Sequence, residues 1–408
     1  MTAREYPVFT VTPKAERSLR AGHPWVYGEE VTAVEGAYQN GDMVDVVSNK
    51  GRYLGTGWVN DHSKIRVRII SRNANDTFDE AFFRRRVCYA LNYRKTVMGP
   101  VDYRCCRLIF GEADQFPGLT VDRFENILVT QVLSLGMERR KDWVYRALVE
   151  LLREDGEQID AIYERNDVTI RTLEGLEQGK GFYQMEGLRT DLSGHVTITE
   201  NGIKYDVDYI EGQKTGFFLD QKYNRQASAK LARGRRVLDC FTHTGSFALH
   251  AGHYGAAEVT GVDISDYACE CARENAALNG LNNVQFVAAN VFDLLKEKTA
   301  EGDRYDVIIL DPPAFTKTRS AVDAAVRGYK EINLRAMKLL RDGGYLITCS
   351  CSQHILPQMF QGIVQSAAAD THTHLQQVEF RTQGRDHPIL PALPETQYLK
   401  CGIYRVER

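Results

Sequence analysis

The residues able to do chemistry in the C-terminal half of this chain stand at the ends of short apolar runs. Asp239 closes Val237-Leu238 ahead of the polar turn Phe241-Thr242-His243-Thr244-Gly245, and Asp263 closes Glu258-Val259-Thr260-Gly261-Val262. Asn290 sits in Ala289-Asn290-Val291-Phe292, and Asp311 follows Val307-Ile308-Ile309-Leu310 and opens Asp311-Pro312-Pro313-Ala314-Phe315. Cys349 and Cys351 end the run Gly343 to Ser352. A carboxylate in such a position accepts both hydroxyls of a ribose or pairs with an ammonium. Two prolines stiffen the loop that carries a third carboxylate. The thiols offer a nucleophile or merely fill a core, and spacing alone leaves both open. On a regular strand the two sulfurs share one face.

The elements that must position these groups follow from the same pattern. An apolar run, a glycine-bearing turn and a new apolar segment at Phe247-Ala248-Leu249 predict strand, tight loop and helix start. Repeats of this layout, separated by helical patterns, predict βα units and a doubly wound parallel sheet that presents one polar residue at each strand tip. Ligands of such sheets bind beyond the carboxyl ends of the strands. An acidic residue at Asp263 suits a dinucleotide or another nucleoside. The first loop discriminates, because it lacks the G-x-G-x-x-G cradle that a pyrophosphate needs. A nucleoside sulfonium needs no such cradle, so S-adenosylmethionine (SAM) is the expected cofactor.

At 408 residues, with 43% hydrophobic and 26% charged side chains, the chain has the composition of a soluble globular protein of two or three domains. The boundaries expected are 1–72, 73–190 and 191–408. Its apolar runs are too short to span a bilayer and its N-terminal residues lack an apolar signal core, which points to the cytoplasm and to no membrane partner. A net charge of -3 does not by itself announce nucleic acid. Nine cysteines, an odd number without C-x-x-C spacing, favour reduced thiols and no metal site.

Residues 1–72 predict a small β-rich module. Strands are expected at 44–47, 53–59 and 65–70, with a short helix from Lys14 closed by Gly22. Arg66 and Arg68 share a strand face, open either to solvent or to a phosphate. Residues 73–190 predict an α+β unit. It begins with a helix capped by Asp76 or Thr77 whose surface carries Arg84, Arg85, Arg86, Arg94 and Lys95. Glu112, Asp114 and Asp122 fall in turn-rich sequence and favour structural hydrogen bonds over catalysis. Asn201-Gly202 between two alternating runs predicts a hairpin. It leads into Gly212 to Gln221, a polar stretch around Gly216-Phe217-Phe218.

Several of these motifs, in this order, resemble one family. Gly22-His23-Pro24-Trp25-Val26-Tyr27 and the strands after it resemble the PUA module of a bacterial large-subunit ribosomal RNA 5-methylcytosine methyltransferase family. Gly111 to Phe124 resembles its central domain, Asp239 to Phe247 its motif I, and Asp311-Pro312-Pro313-Ala314-Phe315 its motif IV. Arg385 to Pro388 and Pro394 to Lys400 match it near the C-terminus. The resemblance implies a PUA barrel, a central α+β domain and a C-terminal Rossmann-like methyltransferase sheet. It also implies that SAM is lined by Asp239, Phe241, Thr244, Gly245, Asp263, Ile264, Asn290, Val291 and Asp311, with Lys214, Phe217, Asp220 and Gln221 from the lead-in segment. The family usually has an aspartate where this chain has Asn290.

The Ser-Cys-Ser triplet carries the nucleophile of the family, which by position is Cys351. Carbon 5 of cytosine is a poor nucleophile, and a thiolate adding to carbon 6 makes it an enamine. Asp311 would then hydrogen-bond the cytosine edge. Another RNA 5-methylcytosine family has a second cysteine in motif IV; Pro312-Pro313-Ala314 does not, so the group that removes the carbon 5 proton is unassigned. The expected partner is RNA, ribosomal by resemblance, with the target base flipped or single-stranded. Lys317, Arg319, Arg327 and Lys330 beside Tyr329 offer phosphate contacts or a solvated helix. The alternatives are nitrogen methylation of guanine or adenine through the Asp-Pro-Pro loop, and a non-catalytic RNA-binding or assembly protein. A homodimer is compatible with the sequence but not specified by it.

Overall fold

The computed structural model describes residues 5–316 and 318–408, so Lys317 and the first four residues lie outside the described residues. They fall into two compact units. The first takes in residues up to Ile198, with Val207–Leu219 and Arg385–Thr396; the second is Thr199–Asp206, Asp220–Gly384 and Gln397–Arg408. Among the described residues no helix is long and apolar enough to cross a membrane.

The first unit begins with β1 (Val8–Val11), α1 (Pro13–Arg20), β2 (Trp25–Tyr27), β3 (Val31–Glu35), β4 (Met43–Ser48), β5 (Tyr53–Val59) and β6 (Ile65–Ser71). They form a six-stranded sheet in the order β2-β6-β5-β4-β1-β3 around a core of Phe9, Val11, Val44, Val46, Val59 and Val67. β4, β5, β6 and α1 match the sequence reading. The strands β1, β2 and β3 are too short for the alternation test and were not expected.

After this sheet come α2 (Glu80–Val97), the single turn α3 (Pro100–Tyr103), β7 (Cys105–Phe110), β8 (Leu119–Phe124), β9 (Ile127–Val132), the turn α4 (Leu135–Glu138), α5 (Lys141–Glu154), β10 (Ala161–Asn166) and β11 (Gly179–Phe182). The five strands order as β11-β10-β9-β8-β7. The cap of α2 corrects the sequence expectation: Asp79, not Asp76 or Thr77, accepts the Phe82 N–H at 2.9 Å. Asp76 is instead tied to Ser71, Asn73 and Arg85.

Several basic residues of this unit are spent internally. Arg84 reaches Glu150 and Glu154, Arg94 grips Asp114 through both terminal nitrogens, and Lys95 pairs with Asp155. Arg68 is held between Glu112 at 3.2 Å and Glu174 at 2.9 Å, and Arg66 pairs with Asp61. Glu112, Asp114 and Asp122 are structural, as the turn chemistry suggested: Glu112 also accepts Trp25 Nε1, Asp114 the Phe110 N–H, and Asp122 both Arg107 and Thr215.

The hairpin β12 (His195–Glu200) and β13 (Ile203–Asp208) turns at Asn201 and Gly202, both in the left-handed region with φ of 51° and 85°. That is the backbone an Asn-Gly turn supplies. Its tip belongs to the second unit.

The second unit continues with α6 (Lys222–Ala229), β14 (Arg236–Cys240), α7 (Ser246–His253), β15 (Glu258–Asp263), α8 (Asp266–Leu278), β16 (Val284–Ala288), α9 (Val291–Glu301), β17 (Tyr305–Leu310), α10 (Val322–Leu339), β18 (Leu340–Ser350), α11 (Pro357–Asp370), β19 (His374–Arg381) and β20 (Lys400–Glu407). The seven strands order as β16-β15-β14-β17-β18-β20-β19. The first five are parallel; β20 runs antiparallel to β18 and to β19. Parallel strands buried on both faces read as continuous apolar runs, as at Val307 to Leu310. Their helices enclose a core that includes Leu238, Val262, Ile308, Leu310, Leu346 and Tyr404.

Candidate active site

All five parallel strands deliver their polar tips to the same edge of the sheet. The strand order places Asp263 of β15, Asp239 of β14, Asp311 just beyond β17 and Cys351 just beyond β18 side by side. The strand β14 lies inside the sheet between β15 and β17, and Asp239 at its end is fully buried. The site therefore reads across the sheet from a carboxylate side to a thiol side.

Asp239 Oδ2 accepts the Thr242 hydroxyl at 2.5 Å and the Ala248 N–H at 2.9 Å. Its Oδ1 is buried with no hydrogen-bond partner among the described residues. Burial pushes this carboxyl up to about 7; the Thr242 and Ala248 hydrogen bonds oppose the shift, and the nearby charges of Asp311 and Asp263 add to it. An unsatisfied acidic oxygen among three carboxylates is a place for a cation.

The loop between β14 and α7 is strained. Phe241 and His243 have φ of 63° and 51°, unusual for residues with a side chain. Gly245 at 85° completes the bend, and there a Cβ would come within 2.8 Å of the Phe286 ring. The His243 N–H donates to Asp263 Oδ2 at 2.9 Å, and the Ser265 N–H to Oδ1 at 3.0 Å. Each oxygen keeps a second lone pair able to accept. Ile264, beside it, is 74% exposed. Thr244 is half-buried, its hydroxyl 3.3 Å from His243 Nδ1. Asn290 is exposed and caps α9, accepting the Phe292 N–H at 2.9 Å, while Val291 is buried behind it.

Asp311 accepts the Gln221 side-chain N–H at 3.0 Å. Gln221 is itself fixed by accepting from Asn224 at 2.7 Å. Asp220 accepts the Tyr398 hydroxyl at 2.5 Å. Phe217 is buried in the first unit, and Lys214, in the same unit, is exposed. Phe315 is packed among aromatic rings: its centroid lies 4.5 Å from Tyr329, with Phe241 and Phe292 also in ring contact.

The two thiols at the end of β18 differ. Cys349 is fully buried opposite Cys401 of β20, and burial pushes its thiol well up. Cys351 lies one residue past the strand, half-buried, its sulfur 4.0 Å from the Pro312 carbonyl oxygen. The strand ends before Cys351, so the shared face expected of the pair does not extend to it.

Two residues near Cys351 were named in the sequence without a role at the thiol. Lys400 is 1% exposed and donates through Nζ to the Ser352 carbonyl at 2.7 Å and the Tyr398 carbonyl at 2.8 Å. Tyr329 is fully buried with its hydroxyl 2.9 Å from Ser352 Oγ, which removes it from the suggested phosphate-binding run. Lys330 in that run pairs with Asp370 at 2.7 Å. A lysine opening an otherwise apolar strand, Lys400-Cys401-Gly402-Ile403-Tyr404, was the available signal.

The residues present fit SAM. The orphaned Oδ1 of Asp239 suits the donor's ammonium, the remaining acceptor capacity of Asp263 a ribose, and exposed Ile264 the face of adenine. Among the described residues no group of three or more His, Cys, Asp or Glu side chains is placed to hold a metal ion.

Comparison with known proteins gives the family of the chain. Residues 9–72 match a PUA-like domain, and residues 183–400 match the S-adenosylmethionine-dependent methyltransferase family. The chain is 43% identical over 398 residues to the ribosomal RNA large subunit methyltransferase I of Shewanella frigidimarina, covering 97% of this chain and 98% of that protein. It is 43% identical over 396 residues to the protein of the same name from Aeromonas hydrophila, covering 96% and 97%. A structure from Streptococcus mutans, described as a SAM-dependent methyltransferase, superposes with a TM-score of 0.81 at 21% identity over 98% of this chain and 99% of that one. A methyltransferase structure complexed with SAH superposes with a TM-score of 0.82, also at 21% identity, over 98% and 99%. With its PUA-like domain, its methyltransferase sheet and this full-length likeness, the chain belongs to the ribosomal RNA large subunit methyltransferase I family and is SAM-dependent.

Proposed function

We propose that this protein methylates carbon 5 of a cytosine in large-subunit ribosomal RNA, with Cys351 as the nucleophile. The observation that carries this reading is the half-buried Cys351 thiol, set against the Asp311-Pro312 loop while Cys349 is sealed in the core. When bound, SAM supplies a methyl group on a sulfonium centre. Asp239 holds the ammonium end, Asp263 the ribose, Ile264 and Val291 the adenine ring, and Asn290 its amino edge. Phe241, Thr244 and Gly245 form the wall of the first loop. Asp220 and Gln221 are assigned to the same pocket from the lead-in segment.

On the acceptor side, the sulfur of Cys351 forms a bond to carbon 6 of the cytosine. The ring π electrons move toward carbon 5, which becomes nucleophilic. Asp311, held by Gln221, hydrogen-bonds the edge of the base and orients it. Loss of the carbon 5 proton restores the double bond and breaks the sulfur–carbon bond, returning the thiolate. A cytosine paired in a duplex cannot reach the tip of β18, so the substrate base is flipped or unpaired. A ribosomal substrate places the work in the bacterial cytoplasm. The domain division proposed with it is a PUA-like module at 1–72, a central module at 73–190 and the catalytic module at 191–408.

The experiment is nucleoside mass spectrometry of ribosomal RNA from cells with and without the gene. Loss of one 5-methylcytidine supports the reading. Loss of an N-methylated purine instead would replace it with nitrogen methylation through the Asp-Pro-Pro loop. No change in any nucleoside would favour a non-catalytic role.

A further inference from the structure

Lys400 is a buried cation without a carboxylate. Its side chain is 1% exposed, and among the described residues no Asp or Glu lies within ion-pair distance of Nζ. A solitary ammonium in such a place is costly unless an anion accompanies it. Two backbone carbonyls take two of its hydrogens, one of them the Ser352 carbonyl, on the residue next to Cys351. The strands bring them together: Lys400 pairs across the ladder with Ser350, the residue before Cys351.

The other groups near the thiol are neutral or already engaged. Tyr329, from α10, has its hydroxyl on Ser352 Oγ. Asp311, from the loop after β17, takes the Gln221 amide. Cys349 of β18 and Cys401 of β20 face each other in the ladder. Burial lowers the Lys400 ammonium to about 8, and Cys351 is the one titratable group whose charge offsets that shift.

We propose that Lys400 is the positioning residue that holds Cys351 as a thiolate. This rests on the reading of Cys351 as nucleophile. A neutral lysine amine giving two hydrogens to the two carbonyls keeps its lone pair for a third, tetrahedral direction. The Cys351 S–H proton moves to that lone pair, so the N–H bond forms as the S–H bond breaks. The product is an ammonium beside a thiolate, with net charge zero before and after. The same ammonium stabilises the sulfur when it leaves carbon 6.

The test is the pH dependence of iodoacetamide alkylation at Cys351 in the full-length protein, read by peptide fragmentation that separates Cys351 from Cys349. The wild-type midpoint is expected at about 7 or below, against about 8.5 for an ordinary thiol. Lys400→Met and Lys400→Gln, the second keeping two donors for the carbonyls, both raise the midpoint and slow alkylation at about pH 6.5 by ~10-fold or more. Lys400→Arg, which keeps the charge, retains the low midpoint.

An ordinary midpoint in the wild type, or an unchanged profile in the folded Met and Gln variants, overturns the proposal. If those variants do not fold, the wild-type midpoint alone decides. Full methylation by Cys351→Ala would remove the nucleophile reading without touching this titration. An ordinary thiol midpoint would remove the role of Lys400 and leave that reading intact.

Discussion

The side-chain amide of Gln221 donates to Asp311 at 3.0 Å while its oxygen is pinned by Asn224 at 2.7 Å. A donor held on one side by a buried asparagine fixes the carboxylate proposed to meet the base. Gln221→Ala removes one charge-assisted hydrogen bond and should lower turnover by about 10-fold. Gln221→Glu, which sets a second carboxylate against Asp311, should lower it further. Steady-state methylation of an RNA substrate measures both, and unchanged turnover in the alanine variant contradicts the assignment.

Asp239 gives a pH dependence. Its carboxyl is raised to about 7 by burial, from the ordinary 3.8, so the free protein gains stability from the protonated form. That gain is complete below the unfolded value and is lost as pH rises through about 7, a change on the order of 4 kcal/mol across the window. The donor's ammonium needs the ionised form. SAM should therefore bind about 10-fold more tightly at about pH 8 than at about pH 6, with proton release on binding. Isothermal titration in buffers of different ionisation enthalpy measures both quantities. Equal affinity at the two values would show that Asp239 does not meet the ammonium.

A buried network underpins the strained loop. Arg225 grips Glu200 through two nitrogens at 2.7 and 2.9 Å, and His250, driven down to about 3 by burial, stays neutral between Ser246, Tyr205 and Asn201. Glu200→Gln leaves an uncompensated guanidinium in the core and should cost about 3–5 kcal/mol. Thermal unfolding would show the lowered midpoint. Replacing both partners with apolar residues should recover most of the loss; no recovery would mean that the pair contributes more than its own compensation.

Much of the catalytic unit was legible because parallel strands buried on both faces read as unbroken apolar runs, each ending on a polar residue. The tips at Asp239, Asp263 and Asp311, and the Asn201-Gly202 hairpin, follow from local patterning. The short strands β1, β2, β3 and β11 did not, since three to five residues cannot establish a period. The roles of Lys400 and Tyr329 were missed for another reason: they arise from neighbours dozens of residues away, joined only when β20 pairs with β18 and α10 packs beside them. Sequence also marks an arginine as cationic without showing its partner.

Arg68 illustrates the consequence. Sharing its charge between Glu112 and Glu174, it is part of the fold of the first unit. Arg68→Met should strand two largely buried carboxylates and lower stability by about 3 kcal/mol. RNA affinity of the protein that remains folded should change less than about threefold. Filter binding at fixed salt checks this, and a loss beyond ~10-fold in folded protein would make Arg68 an RNA contact.

The central claim is that the Cys351 sulfur bonds to the target cytosine. Cys351→Ala, expressed in a strain lacking the gene, should leave the target 5-methylcytidine absent from ribosomal RNA by nucleoside mass spectrometry, while the purified variant still binds SAM. Restoration of the modification by Cys351→Ala to the wild-type level would contradict it.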